Sequence, residues 1–291
     1  MIPQPFEYHA PKSLTEAAKL AAQFGGEGKL LAGGHSLIPL MKLRLAAPRH
    51  VIDISRIPEL NYIREKQGKI QIGALTTHFK IESSQLLKAK CPLMPETATE
   101  IGDAQVRNKG TLGGSLAHAD PAGDWPAVVL ALDAEILAAG PAGQRSIPAQ
   151  EFFVDMLATA LAPDEILIAV RVPELPAHGG DAYVKLHQPA SGFAIVGVAA
   201  RVVLDENGAI GHASLGITGV ASKAYRASAV EQAIQGKSPS TKRLAEAAAH
   251  AAEGVEPNGD LFASSEYRAH LARVYTQRAL ERAIERAAGS Q

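Results

Sequence analysis

Two short segments constrain this chain more than any other feature: Ala32-Gly33-Gly34-His35-Ser36 and Thr111-Leu112-Gly113-Gly114-Ser115. Each sets adjacent glycines beside a hydroxyl residue and abuts regular structure. Glycine tolerates positive φ and lets backbone N–H groups approach a ligand closely. Consecutive N–H groups in such a turn form an anion seat, and a nearby helix N-terminus adds a favourable dipole. Ser36 and Ser115 can donate hydroxyl hydrogen bonds to the same phosphates. One Gly-Gly turn is a tight turn and little more. Two of them, about 80 residues apart, suit a ligand with two phosphates. Neither is a P-loop, because GxxxxGK[ST] is absent, and no GxGxxG opens a Rossmann unit.

Composition narrows the class. The 291 residues suffice for two domains and a sizeable core. A formal net charge of −1 leaves no electrostatic footprint for nucleic acid or an anionic membrane. The start, MIPQPFEYHAPKS, has neither a basic nor an apolar leader region, and no apolar run reaches membrane-spanning length. These features predict a cytoplasmic protein. Cys91 is the single cysteine, which excludes an intrachain disulfide and a cysteine-ligated iron–sulfur cluster within this chain. It reads as an inert buried thiol or, alternatively, a reactive one. The ten histidines carry no HExxH or similar spacing, so no metal site is expected.

Periodicity and turn residues predict the organisation. Ser13-x-x-Glu16 forms a capping box before a helix from Leu14 to Phe24. A strand over Lys29 to Ala32, a helix over Leu37 to Leu43 and a strand over Val51 to Ile54 follow. Asn61 to Glu65 and Lys69 to Ala74 read as a hairpin around Gln67-Gly68. Helices are predicted over Thr77 to Leu87, Met94 to Ile101 and Trp125 to Leu132, with strands at Ala134 to Ala138 and Glu165 to Val172. Gly110 to Ser115 reads as a loop, with a polar turn from His118 to Asp124. Pro173, Pro176, Gly179 and Gly180 mark a domain junction. Beyond it, strands are predicted over Tyr183 to Leu186, Phe193 to Leu204 and Ile210 to Thr218, with Glu206-Asn207-Gly208 as a turn. Helices follow over Tyr225 to Ile234, Thr241 to Ala252 and Ser265 to Ala287. In the last, Tyr267, Leu271, Val274 and Tyr275 form a stripe that is either core or a subunit interface.

The run LLAGGHSLIPLMKLRLAAPRHVIDISRI, from Leu30 to Ile57, resembles the first flavin-binding motif of carbon monoxide dehydrogenase medium chains. QVRNKGTLGGSLAHADPAGDWPAVVLALDAEI, from Gln105 to Ile136, resembles the second. The same domain occurs in FAD subunits of xanthine dehydrogenase, nicotine dehydrogenase and related molybdenum hydroxylases, and the likeness extends to the C-terminal run. It implies an α+β fold. A two-lobed FAD-binding domain of the vanillyl-alcohol-oxidase/PCMH type would span 1–176, with lobes near 1–57 and 58–176. A smaller domain, three strands plus helices, would span 177–291.

The resemblance also implies a site. Ala32, Gly33, Gly34, His35, Ser36, Thr111, Leu112, Gly113, Gly114 and Ser115 would hold the FAD pyrophosphate, with Lys29 helping to position phosphates or ribose. Asp124 would contact the adenosine, Leu161 would pack near the adenine, and Lys185 would lie close to the flavin ring. Each has a plainer reading: Asp124 as a helix N-cap, Leu161 as core, Lys185 as a solvated strand residue. His118, Asp120 and Asp124 suggest metal ligands less well than a flavin loop. His35 beside Ser36 does not make a nucleophile–base pair, since no G-x-S-x-G elbow frames the serine.

No catalytic acid or base is expected on this chain. The resemblance implies FAD here, a small partner subunit with two [2Fe–2S] clusters and a large one with molybdopterin-bound molybdenum, assembled as a dimer of three-chain units. Electrons would leave through this subunit to an external acceptor. Two other readings stay open: an assembly subunit that has lost FAD, and a stand-alone flavin oxidoreductase such as an enolpyruvyl reductase. The substrate is a property of the large subunit.

Overall fold

The chain opens on a parallel sheet whose strands are too short to stand without a helix covering them. β1 (Glu7–His9), α1 (Leu14–Phe24), β2 (Gly28–Leu31), α2 (Leu37–Lys42) and β3 (His50–Asp53) form this lobe, with strand order β1-β3-β2. In the computed structural model, which describes residues 1–289, Ser13 Oγ accepts the Glu16 N–H and caps α1. The predicted capping box is displaced by one residue, because Glu16 reaches back to the N–H of Lys12, not to that of Ser13. Ala17 and Ala21 bury the inner face of α1 against Ile52 and Ile54, within a cluster that continues to Ile166 and Ile168.

The next strands, β4 (Ile63–Lys66) and β5 (Lys69–Gly73), meet at Gln67-Gly68, both at positive φ as a tight hairpin requires. Six helices then run in succession: α3 (His78–Ser83), α4 (Gln85–Lys90), α5 (Leu93–Thr99), α6 (Ala104–Lys109), α7 (Leu112–His118) and α8 (Asp124–Ala131). The single helix expected over Thr77 to Leu87 is two, broken at Ser84, which takes an extended conformation and caps the second by accepting from Leu87 N–H. The second glycine segment is not a loop. It forms the first turn of α7, with Thr111 Oγ1 accepting from Gly114 N–H.

β6 (Glu135–Gly140), β7 (Gly143–Pro148), α9 (Ala149–Phe152), β8 (Phe153–Asp155), β9 (Ala158–Thr159) and β10 (Ile166–Pro173) complete this region. Its five-stranded antiparallel sheet has the order β4-β5-β10-β6-β7, and β8 and β9 pair separately.

The C-terminal sheet has four strands where three were expected. β11 (Gly179–His187), β12 (Ala194–Leu204) and β13 (Ile210–Thr218) are joined by β14 (Tyr225–Arg226), in sequence order. The fourth strand was expected to be helix. Tyr225 and Arg226 instead pair with Ile217 and Gly216, and α10 (Ser228–Ile234) starts after them. α11 (Thr241–Ala248) and α12 (Ser265–Gly289) cover one face. The predicted stripe of α12 is only partly its buried side. Leu271 is buried and Tyr275 packs against the core, but Tyr267 is 47% exposed, and the helix also buries Arg268, Ala272, Thr276, Ala279 and Ala283.

α8 lies between the two regions and is buried on every side, which accounts for its lack of a polar face. Gly216 on β13 lets it approach, because a Cβ there would overlap the carbonyl oxygen of Ala127. The turn before it is stitched to the C-terminal sheet: Gly219 N–H donates to Pro121 O (2.7 Å) and Ala194 N–H to Ala122 O (3.1 Å). No helix among the described residues is long and apolar enough to cross a membrane.

Candidate functional site

The two glycine segments, distant in sequence, touch. A Cβ on Gly33 would overlap the carbonyl oxygen of Lys109 and lie 3.0 Å from the Cα of Gly110. One on Gly114 would lie 3.6 Å from the Cβ of Ala32. Gly34 adopts φ +79°, which a side chain rarely tolerates. Glycine at 33 is therefore a condition for bringing the β2–α2 connection onto the α6–α7 junction.

The segments differ in what they offer a ligand. Among the described residues, the amides of Gly33, Gly34, His35 and Ser36 donate no hydrogen bond within the chain. Four successive free N–H groups ahead of a helix make an anion seat. The amides of Leu112, Gly113, Gly114 and Ser115 are already engaged, by Thr76 O, Ala74 O, Thr111 Oγ1 and Thr111 O. Gly113 is glycine because Ala74 lies against it, its Cβ 2.6 Å from where another would sit. From this side, hydroxyls are left for a ligand.

His78, missed in the sequence, lies beneath the α6–α7 junction and is 4% exposed. Its Nδ1 accepts the indole N–H of Trp125 at 3.1 Å, and a Cβ on Gly110 would lie 2.6 Å from its Nε2. Burial pushes its pKa down to about 4, assisted by the nearby charges of His35 and Arg107.

Asp124 and Lys185 form a second centre. Lys185 Nζ lies 2.9 Å from Asp124 Oδ1 and 3.0 Å from Oδ2, and donates to the carbonyl oxygen of Glu100 at 2.9 Å. The Tyr183 hydroxyl donates to Asp124 Oδ1 at 2.5 Å. Asp124 is the first residue of α8, not its N-cap, which is Gly123. Lys185 is not a solvated strand residue, since its side chain is buried. Burial pushes the Asp124 carboxyl upward while Lys185 and Tyr183 pull it down. Tyr183 was also missed, although two residues before Lys185 on one strand is a same-face position. Gly197, opposite Lys185 on β12, leaves the tyrosine room: a Cβ there would meet its hydroxyl.

The remaining expected residues are more dispersed. Leu161 follows β9 and is half-buried against the core that contains Leu116 and Trp125. Lys29 is exposed on β2, ahead of the first segment. Asp120 does not join Asp124; it accepts the Ala122 N–H and lies 3.8 Å from His118.

Residues 4–175 match the family model described as the FAD binding domain in molybdopterin dehydrogenase. The chain belongs to that family. Residues 181–283 match the CO dehydrogenase flavoprotein C-terminal domain. The chain is thus a flavoprotein of the molybdenum-hydroxylase class, an oxidoreductase subunit whose cofactor is FAD. The carbon monoxide dehydrogenase medium chain of Hydrogenophaga pseudoflava is 43% identical over 99% of this chain and all of its own length. The 6-hydroxypseudooxynicotine dehydrogenase complex subunit alpha of Paenarthrobacter nicotinovorans is 38% identical over 99% of this chain and 97% of its own. The solved carbon monoxide dehydrogenase of Hydrogenophaga pseudoflava lacking the Mo-pyranopterin moiety superposes with a TM-score of 0.95 at 43% identity, over 98% of this chain and 99% of that one. The free amides at Gly33 to Ser36, which glycine at 33 brings onto the α6–α7 junction, are the feature that fits this family's dinucleotide.

Proposed function

We propose that this flavoprotein is the electron-exit subunit of a multi-subunit molybdenum hydroxylase. It takes electrons from [2Fe–2S] clusters on a small partner subunit, supplied in turn by molybdopterin-bound molybdenum on a large one, and passes them to an external acceptor. The observation that carries the reading is the row of four free amides at Gly33 to Ser36, packed against the Thr111–Ser115 segment. FAD supplies chemistry in one- or two-electron steps, and the protein supplies binding, orientation and electrostatics.

In this reading the Gly33 to Ser36 amides face the pyrophosphate. Ser36, Thr111 and Ser115 contribute hydroxyls, while Ala32, Leu112, Gly113 and Gly114 shape the floor, and Lys29 and Leu161 stand at the margin. Asp124 and Lys185 attend one common part of the cofactor, because a single ion pair cannot serve both its adenosine and its flavin ring. The only cysteine is buried beside Arg201 and cannot assemble a cluster, so clusters belong on a partner. A cytoplasmic location belongs to the same proposal.

The test combines composition and absorbance. The native complex is expected to contain a cysteine-rich small chain and a large chain, and to show flavin absorbance. Ser36→Ala and Ser115→Ala, each removing only a hydroxyl, are expected to lower FAD occupancy with the fold intact. Full occupancy in the double variant overturns the seat, and isolation of the native protein as a lone active flavoenzyme overturns the relay.

A further inference from the structure

We propose that Glu7, His9 and His50 form a surface site for one zinc-class divalent metal ion. No element of the flavin reading uses these residues. The parallel pairing of β1 and β3 sets Glu7 opposite His50, and His9 follows Glu7 by two residues, on the same face. Their ligating atoms converge. His9 Nε2 and His50 Nδ1 are 3.3 Å apart, His50 Nδ1 and Glu7 Oε2 are 3.3 Å apart, and His9 Nε2 and Glu7 Oε2 are 3.9 Å apart.

Those distances discriminate between geometries. Around tetrahedral zinc, bonds of about 2.0–2.1 Å separate neighbouring donors by roughly 3.3–3.4 Å. Octahedral neighbours at similar bond lengths are roughly 3.0 Å apart. Two edges of the triangle match the tetrahedron and the third is longer, on the exposed carboxylate. Glu7 is the exposed member, at 73% of its side chain, so a fourth position opens to water.

The rings are also held in place. Phe24 stacks on His50 with centroids 3.8 Å apart and planes within 6°, and lies 4.7 Å from the His9 ring. Gly28 leaves the space for that stack, since a Cβ there would come 3.0 Å from the Phe24 Cβ. The neighbouring cation Arg49 is turned toward Glu27 at 3.4 Å. Two imidazoles and one carboxylate, preoriented by an aromatic wall, are borderline-soft donors of the kind that zinc, cobalt and nickel accept. Sequence spacing could not reveal the site, because His9 and His50 meet only across the sheet.

The site lies where β2 and β3 begin, whereas the first glycine segment leaves β2 at its other end. Occupancy would therefore clip β1 to the lobe without touching the flavin seat. The experiment uses the full chain, free of any histidine tag and stripped with a chelator. Cobalt(II) titration is expected to give one ion per chain with tetrahedral ligand-field absorption, displaced by zinc. His9→Gln and His50→Gln should each weaken binding by more than about tenfold, and Glu7→Gln should also weaken it. Zinc should raise the unfolding midpoint of the wild type and of no histidine variant. Circular dichroism checks the fold of each variant, and His9→Gln alone serves if His50→Gln does not fold. Equal cobalt binding by wild type and His9→Gln, or no binding by the wild type, overturns the proposal whatever the flavin content.

Discussion

Trp125 donates its indole N–H to Nδ1 of His78 at 3.1 Å, and this fixes the imidazole as neutral with its proton on Nε2. The pKa of His78 falls from an ordinary 6.5 to about 4 because the ring is buried. The unfolded chain therefore takes up a proton between these values that the folded chain refuses. Stability is fully present above pH 6.5 and is lost as the pH falls toward 4, by about 3 kcal/mol. Urea unfolding from pH 7 to 4, followed by the fluorescence of this single tryptophan, should show the loss. His78→Gln should flatten that component, and an equally steep variant would refute the assignment.

The Asp124–Lys185 pair yields a double-mutant cycle. Lys185→Met leaves a buried carboxylate with only the Tyr183 hydroxyl, and should cost about 3–5 kcal/mol. Asp124→Leu with Lys185→Met should recover a large part, because both charges then leave together. Denaturant midpoints of the single and double variants measure the coupling, and simple additivity would contradict it.

Gly33 makes a sharper steric prediction. Gly33→Ala should lower both stability, by about 1–3 kcal/mol, and FAD occupancy, because its Cβ has backbone in its way. Gly68→Ala, at φ +72° with open space around it, should cost about 1–2 kcal/mol through backbone strain and leave FAD binding unchanged. Flavin-to-protein absorbance ratios separate the two.

Cys91 should behave as an inert thiol. It is buried against Arg201, with its pKa pushed up to about 12 by burial. Alkylation near neutral pH should proceed only after denaturant opens the chain, and stoichiometric labelling of the native protein would show this burial to be wrong.

Features specified by neighbouring residues were the legible ones. The Ser13 cap, the Gln67-Gly68 turn and the strands from Ala194 to Thr218 carry their signals locally. Strand β7 escaped detection because five of its six residues are exposed, leaving no apolar alternation. The face of α12 was misassigned in part, at Tyr267, for a different reason. Gly180 brings β11 so close that a Cβ there would overlap the Ala283 carbonyl oxygen, so small residues, not Tyr267 or Val274, face the sheet. Contacts between distant segments were equally hidden: Trp125 with His78, Lys185 with Asp124, and Gly33 with Lys109.

The all-round burial of α8 has a consequence for biosynthesis. This helix emerges from the ribosome before β12 and β13, the strands that close over it, have been made. Until they arrive, Trp125 and Val129 belong to a core with one wall missing. The nascent flavin half is then a client for chaperones, and truncation after residue 175 should yield a sticky fragment, not a smaller flavoprotein.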